Sequence, residues 1–134
     1  MRNFHIVSAV IEVGTGLGMI VLPSLIAALL LGAAVTTSLE LVMARLGGVA
    51  LLALGLACFL AAGDAQSRAA RGLAGGMVLY DIGAVATLLY AALGLGLTGV
   101  LLWPAALLHV AMAVWGMLLL ARKPAQPPVT PQAG

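Results

Sequence analysis

The chain has 134 residues, 63% of them hydrophobic and only 7% charged, against about 25% charged in soluble domains. No soluble core of this size could hide that much apolar surface, and a net charge of +2 from so few groups holds no basic patch for nucleic acid. The single cysteine, Cys58, excludes an intrachain disulfide and reads as a small core hydrophobe.

Four apolar runs follow one another: Phe4–Ala33, Leu39–Ala62, Leu73–Leu95 and Val100–Ala121. Each reaches the roughly 20 residues a helix needs to cross a bilayer. The expected fold is all-α, a four-helix transmembrane bundle of antiparallel up-down topology over residues 1–122. A disordered Pro-rich tail is expected over residues 123–134. The first run is longer than a signal-peptide core and carries Glu12, so it reads as an uncleaved span.

Pro23 removes a backbone donor within that run, which predicts a bend near Leu22–Ser24. Thr37 and Glu40 then have capping-box spacing at the head of the second span. Gly63 suits a helix C-cap and Asp64 the start of the next element, with Gly63–Gly72 as a polar loop in which Asp64 and Arg68 are placed to pair. Trp103-Pro104 opens the fourth span, with proline in the first turn and an interfacial tryptophan. Arg2, Arg68, Arg71, Arg122 and Lys123, five of the six basic residues, fall on one side of this layout. The positive-inside rule makes that side cytoplasmic, with both termini inside.

Two helical stripes stand out. His5, Ser8, Glu12 and Thr15 share an arc of about 80° on the first span and should turn away from lipid. On the third span Gly76, Tyr80, Gly83, Thr87, Tyr90 and Gly94 keep unbroken 4-3 spacing, which predicts a tight packing seam with Asp81 at its border. Smaller matching faces are Arg45, Gly48, Leu52 and Gly55 on the second span and Ala105, His109, Ala113 and Gly116 on the fourth.

Ionisable residues inside the spans are Glu12, Arg45, Asp81 and His109. Each would cost a few kcal/mol if left charged and unpaired at the bilayer centre. Glu12 and Asp81 fall at similar depth on helices running the same way and lean toward the cytoplasmic side. With His109, Tyr80, Ser8 and Thr15 they form the candidate proton or ligand site. Arg45 snorkels toward the outer headgroups as an anchor. The two histidines are displaced by roughly 15–20 Å along the membrane normal, too far for one haem. No Cys/His/carboxylate cluster has metal spacing, so no metal or cofactor is expected. The glycine-rich Gly14–Gly18 follows no strand and is no dinucleotide loop, and no soluble-enzyme motif occurs.

The glycine-rich first run with Leu22-Pro23, the Arg45–Gly48 segment and the short outer loops resemble the DoxX-like group of small four-helix bacterial membrane proteins. That resemblance implies a fold and a location, and no catalytic residue. The segment Ala9–Thr15 is similar to the first helix of small multidrug resistance transporters. This second resemblance implies for Glu12 the binding of protons or a cationic drug. The third span lacks that family's aromatic-rich segment, and the family has no acid at a position like Asp81.

The leading expectation is therefore a non-enzymatic accessory or scaffold subunit, with the bilayer and a second copy or another membrane protein as partners. The alternative is a dimeric proton-coupled small-molecule transporter using Glu12 and Asp81, and the third a redox or membrane-enzyme accessory using His109.

Overall fold

The structure, a computed structural model, describes residues 1–122. The tail expected over 123–134 lies outside the described residues. Five α-helices follow in order: α1 (Arg2–Val21), α2 (Pro23–Leu31), α3 (Ser38–Gly63), α4 (Arg68–Leu89) and α5 (Leu102–Ala121). One π-helical turn, Tyr90–Gly94, prolongs α4. Four helices, counting α4 with that turn, are long and apolar enough to cross a membrane, and α2 is not among them.

The first apolar run is thus two helices. Pro23 has no N–H for the helix to continue through, and Leu22 leaves helical geometry at φ −128°, ψ 52°. A tilted or kinked single span was the expectation; the turn is sharp enough that α2 doubles back. A Cβ on Gly18 would lie 3.0 Å from Ile26 Cδ1, a contact that a straight helix forbids at this separation. Gly32 ends α2 in the left-handed conformation at φ +71°. The segment before α5 then clamps α2, because Gly99 N–H donates to Leu30 O at 3.1 Å and Leu101 N–H to Leu29 O at 2.8 Å.

The start of α3 follows the capping-box chemistry. Glu40 Oε2 accepts from the backbone of Thr36 (2.8 Å) and Thr37 (2.9 Å), while Glu40 N–H donates to Thr37 Oγ1 at 3.2 Å. At α4 the reading needs correction. Ser67 caps the helix, its Oγ accepting from Ala70 N–H at 3.0 Å, so α4 starts at Arg68 and the polar connection is shorter than Gly63–Gly72. Arg68 and Asp64 form no ion pair; Arg71 instead donates to Leu120 O (2.9 Å) and Arg122 O (3.5 Å) at the end of α5. Arg45 does the same for α1. Its Nε donates to Ile20 O at 3.3 Å, a carbonyl orphaned by the Pro23 break, so it ties α3 to α1 as well as facing outward.

The helices pack as two antiparallel pairs, α1 with α3 and α4 with α5. In the first pair backbones nearly touch. A Cβ on Gly16 would meet Gly48 O at 2.7 Å, one on Gly48 would meet Gly16 O at 2.7 Å, and one on Gly55 would meet Val13 Cγ2 at 2.8 Å. The pairs are joined through side chains: Phe4, Cys58, Ala74, Met77 and Met112 form a buried cluster, and Trp115 packs edge-on to Phe4 at 5.6 Å.

Among the described residues the glycines of the seam predicted on α4 make no close helix contact. Gly76 and Gly83 have nothing within 4 Å of an added Cβ, Gly94 meets only its own Tyr90, and Tyr90 is 63% exposed. The buried stripe lies about 100° round: Ala70, Ala74, Met77 and Asp81, at the same 4-3-4 spacing. Asp81 belongs to it rather than bordering it.

Overpacking the α1–α3 contact should therefore cost about 1–3 kcal/mol, whereas the α4 glycine face should be tolerant. Gly48→Val is expected to lower the thermal midpoint of the purified protein in detergent by several degrees or prevent its recovery, and Gly83→Ala to leave it unchanged. Equal sensitivity of the two positions would contradict this packing.

Candidate functional site: an acid–histidine cluster beneath an apolar cleft

The rotation of α1 that holds Ala9, Val13 and Gly16 against α3 turns His5, Ser8 and Glu12 toward α4 and α5. All three are enclosed, at 0%, 1% and 2% exposure. On α4 the buried stripe carries Asp81 to the same level as Glu12, and on α5 His109 faces both.

Asp81 Oδ1 and His109 Nδ1 are 2.8 Å apart. The two share one hydrogen bond, an arrangement that fixes the orientation of the imidazole ring. Tyr80 stands edge-on to the His109 ring at 5.6 Å, and its hydroxyl lies beside the Glu12 carboxyl. Glu12 is within electrostatic reach of both Asp81 and His109. Each buried acid thus backs one less buried group, Glu12 behind Tyr80 and Asp81 behind His109.

Those two groups form part of the wall of a cleft of about 600 Å³. Ile11, Thr15 and Met19 of α1, Leu30 of α2 and Leu51 of α3 line one side; Gly83, Ala84, Thr87 and Leu88 of α4 with Ala105 and Leu108 of α5 line the other. The volume is that of a small-molecule pocket, apolar around a few convergent polar groups. It exists because Gly83 and Ala84 project so little into the gap between the helix pairs.

Of the residues singled out from sequence, Glu12, Asp81, His109 and Tyr80 come together, and Thr15 lies on the cleft wall above them. Ser8 sits one turn below Glu12 on the same face. Gly83 and Thr87, assigned to the seam, line the cleft instead, while Gly76, Tyr90 and Gly94 stand apart from it. Arg45 is remote and attends to the end of α1. Leu30 was missed, because nothing in the linear pattern says that the chain after Pro23 doubles back. The direct Asp81–His109 contact was missed because wheel positions on separate helices do not fix their mutual rotation.

Among the described residues no three or more of His, Cys, Asp and Glu gather in a way that could hold a metal ion. Glu12 Oε2 and Asp81 Oδ2 are buried with no protein partner. Such acceptors are rare in folded proteins.

No protein-family model matches the chain, and neither curated proteins nor solved structures yield a match.

The Asp81–His109 contact should behave as a coupled pair. In a double-mutant cycle of Asp81→Asn and His109→Gln, followed by chemical denaturation, each single change is expected to destabilise, with a coupling of about 1–3 kcal/mol. Additive effects would mean that the two side chains do not interact.

Proposed function

We propose that this chain is a four-span protein of a bacterial inner membrane, with both termini in the cytoplasm, that binds a small lipophilic cation in exchange for a proton. Four helices of membrane-spanning length support the location, and the skew of basic residues toward one side supports the orientation. The likeness to DoxX-like proteins agrees with this layout.

The observation that carries the binding role is the pair of buried, unpartnered carboxyl oxygens of Glu12 and Asp81 directly behind the cleft. Two acids face a single imidazole, and no lysine or arginine lines the cleft. The cluster therefore accepts one further positive charge, which is either a proton or the head of a ligand. The apolar walls suit the body of an amphipathic molecule. The ring of Tyr80 presents aromatic surface to its head, where cation–π attraction contributes about 0.5–2 kcal/mol. Competition between proton and cation for the same acids gives exchange without any covalent chemistry, so the protein acts as a carrier and not as an enzyme.

The accessory-subunit reading keeps one support. Among the described residues an added Cβ on Gly76 meets nothing and Tyr90 is exposed, which suits contact with a second copy or another membrane protein.

The carrier reading is tested by calorimetry of tetraphenylphosphonium binding to detergent-purified protein in two buffers of different ionisation enthalpy. Binding with release of about one proton is expected, with Glu12→Gln and Asp81→Asn each weakening affinity about tenfold or more, the equivalent of about 1.4 kcal/mol, and abolishing the release. Unchanged affinity and proton count in both variants would overturn it.

A further inference from the structure

His5 and Ser8 take no part in the contacts described so far, yet both are as thoroughly enclosed as the acids. His5 is 0% exposed with neither ring nitrogen in a well-formed hydrogen bond, though the ring lies against the Ala70 backbone, and Ser8 is 1% exposed with its Oγ unpartnered. Together with Glu12 Oε2 and Asp81 Oδ2 they make five buried polar atoms without a protein partner. Four of these lie on one face of α1, at successive rises of about 4.5 and 6 Å from His5 through Ser8 to Glu12. A random scatter of unsatisfied atoms would not follow a helix face from the N-terminal turn to an acid cluster midway along.

We infer that His5, Ser8 and Glu12 form a hydrated proton path leading from the N-terminal end of α1 to the Glu12–Asp81–His109 cluster. The inference rests on the proton-exchange reading and adds to it the route and the side from which protons enter. The chemistry of each station fits. Water bridging these atoms would supply the two to four hydrogen bonds per molecule that make buried water stable. When a cation displaces the proton on Glu12, that proton passes to the adjoining water. The Ser8 hydroxyl accepts one proton and donates another, so no charge rests there. His5 takes the proton on one ring nitrogen and gives one from the other, restoring its neutral form. The proton leaves at the end of the bundle where α1 and α4 begin.

The surroundings leave the path few competing groups. The charged and titratable neighbours of Glu12 are Tyr80 and Asp81 of α4, His109 of α5 and Cys58 of α3. His5 faces Phe4 edge-on at 5.7 Å and the first turn of α4 near Ala70, with the chain's amino terminus as its nearest charge. Phe4, Met77 and Met112 belong to the buried apolar cluster of the same core. The ligand enters by one route and the proton by the other.

Two measurements test this, the first independent of any cation. In water-edited solid-state NMR of the histidine-labelled protein in bilayers, the His5 ring should receive magnetisation from water several-fold faster than the Cys58 side chain, a dry reference in the same core. His109→Gln assigns the two histidines. A transfer rate for His5 equal to that of Cys58 would overturn the path, whatever cations bind. The second compares Ser8→Leu with wild type by stopped-flow recording of proton release on tetraphenylphosphonium binding. Release slowed more than tenfold, with equilibrium affinity within twofold, is expected; an unchanged rate would overturn the path while leaving the exchange reading intact. Ser8→Thr, which keeps the hydroxyl, should restore the rate.

Discussion

Everything in this fold is referred to the near-contact of two backbones. Where Gly16 of α1 faces Gly48 of α3, backbone meets backbone, and at Gly55 only the Val13 side chain and its backbone nitrogen fill the contact. Packing this close gains dispersion and weak Cα–H···O attraction, which count for most where the surroundings are apolar and burial itself drives little. It also has a geometric consequence. Holding Ala9, Val13, Gly16 and Ile20 against α3 fixes the rotation of α1 about its own axis. The polar face His5–Ser8–Glu12 lies about 90° away on the wheel and is thereby aimed at the other helix pair. A bulkier seam would permit α1 to roll, and the acid cluster would lose its register.

The second helix pair meets the first with two different textures. Toward the N-terminal end of α1, large side chains cross the gap: Phe4 with Trp115, and Met77 and Met112 beside Cys58. Toward the other end the facing positions are Gly83, Ala84, Thr87 and Ala105, and the gap stays open as a cleft. The Pro23 break serves the same end. Were α1 to continue straight, the apolar residues Leu29 and Leu30 would extend beyond the bundle. Doubled back and held by backbone bonds from Gly99 and Leu101, they place Leu30 on the cleft wall. The glycine-rich face of α4 thus makes volume where small residues elsewhere make contact.

Features set by local chemistry were legible in the sequence. The capping box at Thr37–Glu40 and the interruption at Pro23 depend on neighbours a few residues away, and both appear where the residues place them. The four long apolar segments and the polar face of α1 follow from composition and periodicity. What was not legible depends on the rotation of one helix against another. Two stripes on α4 had the same 4-3 spacing, one of glycine and tyrosine, the other Ala70–Ala74–Met77–Asp81. The glycine stripe reads as the seam because small residues let another backbone come close, and the other stripe had no part in that reading. Asp81 lies on that face because His109 awaits it, and the partner is 28 residues away. The start of α4 was misjudged for a simpler reason: Arg68 and Arg71 looked like loop residues, but the Ser67 cap and the carbonyls of α5 give them a place on a helix.

The polar cluster is hard to explain as a stabilising device. A buried ion pair rarely gains more than its desolvation costs, and apolar residues of similar volume often hold helices together as well or better. Asp81 and His109 satisfy one another at a single point, leaving Asp81 Oδ2 unpartnered. Glu12 has an oxygen in the same condition, and the Ser8 hydroxyl and both nitrogens of His5 extend the deficit along α1. Each unmade bond of this kind costs about 1–3 kcal/mol where no water meets it, and packing elsewhere in the chain must offset what water does not. The α1–α3 glycine contact and the aromatic cluster around Phe4 and Trp115 are the places with strength to do so. Stability is therefore concentrated in the contacts that set helix rotation and withheld from the groups that rotation brings together. That division is what a site needs if its members are to exchange protons and ligands without the fold coming apart.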